Sequence, residues 1–202
     1  SDVYAAKAID FITRALQGDA PFFAYIAPYA PHGPSTPARR HSRLFPEAWV
    51  PRTASFNEKD VGDKPEYVRN RPRLKKDQIA HIDALYRNRL RSLQAVDEMI
   101  ASLVQTLQQA GALENTYLFF TSDNGFLLGQ HRLGPGKIAP YEESIRVPLV
   151  VRGPGVPSGI EIASLSGNID LAPTWAELAG VPAPAFVDGR SLAPLWSAGT
   201  AG

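Results

Sequence analysis

Asp123 and Asn124 stand side by side at the end of a short apolar run, residues 117–120, within the segment TSDNGFLLGQHRLGPGK. Gly125 follows them, and His131 and Lys137 lie further along the same segment. A carboxylate and a carboxamide in adjacent positions offer the oxygen donors that a hard divalent cation takes. A histidine and a lysine close by suit an anionic group bound to that cation. In an open α/β sheet, ligands sit beyond the carboxyl ends of the strands, which is where this cluster falls. The same residues also fit a plain Asp-Asn-Gly turn with a surface histidine beside it. A second histidine, His32, follows another apolar run, residues 22–27, in Ala30-Pro31-His32-Gly33-Pro34. Prolines on both sides would hold its ring at the rim of a sheet, and imidazole titrates where proton transfer is useful.

The elements that must carry these residues alternate in the manner of an α/β fold. Asp2 can cap a first helix whose apolar positions Ala5, Ala8, Ile9, Ile12, Ala15 and Leu16 follow helical spacing, with Gly18 as its stop. Residues 22–27 form a continuous apolar run with the aromatic content of a buried strand. Residues 28–76 are rich in proline and charge with little periodicity, and they predict a long irregular loop that is functional or mobile. A long helix is expected over 77–110, with Leu93, Val96, Ile100, Leu103, Val104 and Leu107 as its buried stripe and Gly111 as its end. Strands are expected over 117–121 and 148–151. Asp170 can cap a last helix carrying Leu171, Trp175 and Leu178, stopped by Gly180 and Pro182. Continuous apolar strands alternating with helices predict an α/β fold with a mostly parallel sheet covered on both faces.

The chain has 202 residues, 44% of them hydrophobic and 20% charged, enough to bury a core as one domain-sized unit. A net charge of +1 gives no reason to expect a nucleic-acid partner. No stretch approaches the roughly 20 apolar residues that span a bilayer. With no cysteine, disulfides and cysteine-ligated metals are excluded. The first residues, SDVYAAKAIDFI, start straight into a helical pattern with no apolar signal region, as a truncated chain would. Two basic clusters, Arg39, Arg40, His41 and Arg43, then Arg69, Arg71, Arg73, Lys75 and Lys76, either attract an anionic glycan or form solvated faces.

The segments FFAYIAPYAPHGP, TYLFFTSDNGFLLGQHRL, YEESIRVPLVVRGPGV and NIDLAPTWAELAGV, in that order and with Lys137 between glycine-flanked turns, resemble the sulfatase family. The wording TSDNG…GQ…RVPLVVRGPG is most similar to the branch that contains N-acetylglucosamine-6-sulfatase. The resemblance runs from about Val3 to about Leu195, and it is the combination of motifs that is specific. It implies an alkaline-phosphatase-like α/β fold and a sulfuric ester hydrolase. Asp123 and Asn124 match the later pair of metal ligands, usually for calcium. His32 matches the histidine that contacts sulfate and helps protonate the departing alcohol, and Lys137 the lysine that contacts a sulfate oxygen. For His131 the resemblance leaves substrate contact and packing both open. Arg146 falls in the strand entry Arg-Val-Pro, where an ion pair with Glu142 or Glu143 is expected.

The resemblance also exposes what this chain lacks. Sulfatases begin with an Asp-Asp pair and a Cys/Ser-x-Pro-x-Arg signature whose Cys or Ser becomes formylglycine, the nucleophile. No Asp-Asp occurs here, and Ser35 to Arg39, which reads Ser-x-Pro-x-Arg, lies too late in the order to be that signature. The chain is therefore expected to be the later portion of a sulfatase catalytic domain, residues 1–202, with 28–76 as a substrate-side loop. On its own it should be inactive and hold calcium weakly or not at all, with formylglycine in the missing N-terminal part. Implied partners are a sulfated small molecule or glycan and that missing half, and implied locations are the periplasm or the exterior. Alternatives are a non-catalytic module that binds anionic glycan or packs on a partner, and a related phosphonate or phosphate monoester hydrolase.

Overall fold

A computed structural model describes residues 1–198 and divides the chain into two compact units. The larger contains Ser1–Leu113 and Asn124–Val147, and the smaller contains Glu114–Asp123 and the chain from Pro148 onward. The composition predicted one unit. Two arise because the chain leaves the first through a strand at 118–121 and returns to it from Asn124 to Val147.

In the larger unit, α1 (Asp2–Ala15) packs on α3 (Lys76–Gln109), a helix of 34 residues that is close to the predicted span. The Gln78 carboxamide accepts the Lys75 N–H at 2.8 Å and caps its start. Its buried face runs through Ile82, Ala95, Val96, Met99, Leu103 and Leu107, and from Val96 onward the spacing is three or four residues. Leu93, Ile100 and Val104 are only half-buried, so the stripe is rotated toward Ala95 and Met99 relative to the expected one. Asp2 does not cap α1, whose N-cap is Ser1. Its carboxylate instead accepts from Arg40 at 2.7 and 2.9 Å, and Arg40 also donates to Glu98 of α3 at 2.8 Å.

The irregular stretch after residue 28 is packed rather than loose. Val50 closes over Ile82 and Leu128, and Val61 and Val68, the latter at the end of the short helix α2 (Glu66–Arg69), pack on Leu127 and Leu133. Asn57, buried, pins the stretch by accepting the Leu74 N–H at 2.7 Å and donating to the Leu74 carbonyl at 3.1 Å. Arg71 and Arg73 of the basic clusters stay exposed and donate to the carbonyls of Tyr67 and Asn57.

In the smaller unit, β1 (Leu118–Thr121) pairs antiparallel with β2 (Leu149–Arg152), Leu118 opposite Arg152 and Thr121 opposite Leu149. Phe119, Leu149 and Val151 cover Leu192, Ala193 and Trp196, where α6 (Ala193–Ala198) begins, and the rings of Trp175 and Trp196 meet Phe119 edge-on. The parallel-rich pairing expected of three runs is not what these residues form. Among the described residues there is one two-stranded antiparallel sheet, and residues 22–27 take no regular secondary structure. An apolar run reports burial, not the direction of its neighbour, and antiparallel strands with one wet face show it here: Val150 is 60% and Phe120 42% exposed.

Asp170 is also used differently from the expected cap. It is buried at the start of α5 (Leu171–Leu178), and its carboxylate accepts the N–H groups of Arg190 at 2.9 Å and Gly167 at 2.8 Å. Those two backbone donors, the Arg190 one first, hold its pKa below the ordinary carboxylate value against the opposing effect of burial. A depressed folded-state pKa gives stability that is present above the unfolded pKa and lost as pH falls through the folded one. Asp170→Asn should therefore cost about 1–3 kcal/mol in urea unfolding at pH 7. The gap to the parent protein should close as the buffer is taken to acid, and a gap that widened in acid would refute the assignment.

Candidate functional site

The strand β1 delivers Ser122, Asp123 and Asn124 to its carboxyl end, and the boundary between the two units falls at the Asp123–Asn124 bond. In the smaller unit Asp123 is exposed, and the carbonyls of Ser122 and Asp123 accept the Asn168 carboxamide at 3.0 and 3.2 Å. Asn168 was not singled out from sequence. An amide residue in a single turn ahead of a helix was the available signal.

In the larger unit Asn124 is half-buried, and its Nδ2 donates to the Gly125 carbonyl at 2.7 Å. Gly125 donates its own N–H to the Ser144 carbonyl at 2.9 Å beside α4 (Glu142–Ile145). A β-carbon at position 125 would lie 2.3 Å from the Glu143 carbonyl oxygen, so the donor loop needs glycine there. Leu127 and Gly136 then exchange backbone hydrogen bonds at 2.7 and 3.1 Å, which folds the loop back. That pairing sets the Lys137 Nζ 2.9 Å from Asn124 Oδ1. Two predicted site residues, thirteen positions apart, are in direct contact.

His32 sits in a tight turn where its N–H donates to the Tyr29 carbonyl and the Ser35 N–H to the His32 carbonyl, both at 2.9 Å. Its ring is exposed, 4.8 Å from the Tyr29 ring, and Nδ1 lies 3.0 Å from the Gly33 carbonyl. A carbonyl only accepts, so Nδ1 carries the hydrogen and Nε2 is left for another partner. Tyr29, His32 and Ser35 line a cleft of about 500 Å³ whose other wall includes Ser92 and Ala95 of α3. Ser35 itself is buried with φ +55, and its hydroxyl donates to the Pro31 carbonyl at 2.8 Å. That hydroxyl is engaged in the turn, whatever motif its neighbours spell. Arg89 of α3, overlooked in the sequence, reaches both the His32 turn and the Asn124 loop.

His131 stands apart from this group. Its Nδ1 pairs with Glu58, its Nε2 lies 3.4 Å from Glu143 Oε2, and its ring stacks on Tyr141 at 3.8 Å. Both ring nitrogens thus face carboxylates. Burial alone would raise the Glu143 carboxyl, but the Ser55 hydroxyl, its own N–H and His131 bring it below the usual value. Arg146 is exposed and forms no ion pair among the described residues, contrary to expectation. Glu143 turns to His131 and Ser55, and Glu142 is exposed.

The chain belongs to the sulfatase family, whose model matches residues 1–181. It is 41% identical over 201 residues to sulfatase ppz1 of Metarhizium majus, covering 95% of this chain and 47% of that protein. It is 36% identical to the human N-acetylglucosamine-6-sulfatase, with 96% and 35% covered, and 35% identical to the extracellular sulfatase SULF-1 homolog of Drosophila melanogaster, with 96% and 18% covered. Among solved structures it is similar to BT4656 in complex with its substrate D-glucosamine-2-N,6-O-disulfate, at 26% identity and TM-score 0.71, covering 96% of this chain and 51% of that one. The phosphonate monoester hydrolase of Agrobacterium radiobacter shares the fold at 24% identity and TM-score 0.76, with 96% and 41% covered. The α/β class is thus that of the alkaline-phosphatase-like enzymes. The chain spans less than half the length of the curated relatives it matches.

Proposed function

We propose that this chain is the later portion of a sulfatase catalytic domain that hydrolyses the sulfate ester of a sugar or an aryl alcohol, outside the cytoplasm. The observation that carries the reading is the Lys137 ammonium 2.9 Å from the Asn124 carboxamide oxygen, directly after the strand that presents Asp123. In this reading Lys137 holds a sulfate oxygen as a compact point charge, Asn124 and Asp123 supply oxygens to calcium, and His32, as the imidazolium with a hydrogen on each nitrogen, gives its Nε2 proton to the departing alcohol. A calcium ion, when bound, would neutralise charge on the same sulfate oxygens. His131, with carboxylates at both nitrogens, acts as a packing residue that ties residues 55–58 to the loop after Asn124. The nucleophile and the remaining acidic ligands come from sequence preceding these residues in the complete enzyme. The relatives named for N-acetylglucosamine-6-sulfatase and the glucosamine disulfate complex favour a sulfated amino sugar as substrate.

Among the described residues the acidic donors fall short of a calcium site. Among the described residues no group of three or more His, Asp or Glu side chains could hold a metal, and calcium takes about 6–8 oxygens. Calorimetric titration of the 202-residue chain with calcium should give a dissociation constant no tighter than about millimolar. Micromolar affinity would mean that the chain holds a complete site. To test the function, the chain is joined to its preceding coding sequence and assayed with glucosamine 6-sulfate, an aryl sulfate and a phosphonate monoester. Turnover of the phosphonate with neither sulfate would replace the sulfatase reading by the phosphonate one.

A further inference from the structure

Arg89 lies near the middle of α3, half-buried, and takes part in no ion pair among the described residues. Its guanidinium sits 4.0 Å above the centroid of the Phe126 ring, and its Nη1 donates to the Pro31 carbonyl at 3.1 Å. The two contacts belong to different segments. Pro31 immediately precedes His32, and its carbonyl already accepts the Ser35 hydroxyl at 2.8 Å. Phe126 follows Asn124 by two residues, in the loop that returns Lys137 to it. A planar guanidinium can stack through its face and donate through its edge at once, which an ammonium cannot. A half-buried cation without a carboxylate partner is also a poor stabilising device, because its desolvation is not offset by a counter-charge.

We propose that Arg89 is a positioning residue: it holds the His32 turn and the Asn124–Lys137 loop in one register, and so sets where the histidine stands relative to the other site residues. The inference rests on reading His32, Asn124 and Lys137 as one site.

The first arm of the test uses the 202-residue chain and NMR of the His32 ring and the Asn124 carboxamide. In Arg89→Met both sets of resonances should move, while Tm stays within about 3 °C because the long apolar side chain keeps the packing. His81, exposed on the same helix, should not shift. Arg89→Lys should move the same signals in the same direction by less, and it carries the comparison should Arg89→Met fail to fold. His32 and Asn124 signals unmoved in a folded variant would overturn the proposal.

The second arm uses the enzyme joined to its preceding sequence. Arg89→Met should lower kcat on a sugar sulfate about tenfold or more, with KM within about threefold, since a small displacement of an acid is costly. An aryl sulfate with a good leaving group needs no acid and should be nearly unaffected. Equal loss on both substrates would mean that Arg89 is merely structural. His32→Ala is run in parallel. If it shows no difference between the two substrates, the reading of His32 as the acid fails, and Arg89 is judged on the NMR arm alone.

Discussion

Alanine at position 125 should cost the larger unit about 3 kcal/mol, although it adds a single methyl group. The β-carbon would stand 2.3 Å from the Glu143 carbonyl oxygen and 3.0 Å from that of Arg146, and both are backbone atoms that cannot turn aside. Either the loop moves off α4 and loses the Gly125 N–H to Ser144 hydrogen bond of 2.9 Å, or α4 unwinds. Asn124 moves with it in both cases. The measurement is urea unfolding by circular dichroism, with Gly134→Ala as the control, since a β-carbon there meets nothing within 4 Å. A loss below about 0.5 kcal/mol would place Gly125→Ala among ordinary surface changes and show the loop to be pliant.

The largest expected effect on turnover belongs to Lys137. In the joined enzyme Lys137→Ala should lower kcat about 10²- to 10³-fold, the usual loss on removing one preorganised charge that stabilises a transition state. Lys137→Arg should recover little of it. The ammonium is a compact charge 2.9 Å from Asn124 Oδ1, and a wider, planar group in its place would displace the carboxamide. Steady-state kinetics of the two variants on an aryl sulfate decide the matter. A loss under threefold in Lys137→Ala would remove it from the catalytic set.

The long helix α3 and the end of β1 were legible in the sequence because each rests on a local signal, helical period for the one and turn chemistry for the other. Strand partners were not. The run at 117–121 predicts a strand but says nothing of β2 running antiparallel beside it, since that pairing depends on the residues between them folding into another unit. Asp170 reads as a helix cap by position, but its carboxylate bonds to Gly167 and to Arg190, and the latter, twenty residues away, is invisible to any local rule. The His131 segment was ambiguous for the same reason. Its surroundings, Glu58 and Tyr141, arrive from 73 residues before it and ten after. Arg89 was missed because an arginine on a long helix is ordinarily a solvated one. Only the meeting of Pro31 and Phe126 around it makes it unusual.

The alternation of exposure along residues 22–29 bears on how the chain behaves at high concentration. Phe23, Tyr25 and, just beyond, Tyr29 are 63%, 75% and 62% exposed, and exposed positions 23, 25, 27 and 29 alternate with half-buried ones. Exposed aromatic rings grouped in this way make a sticky surface. Samples of the isolated chain are best handled dilute and cold, with light scattering as the watch. A charged side chain at Tyr25 is the natural place to restore colloidal stability without touching the His32 turn.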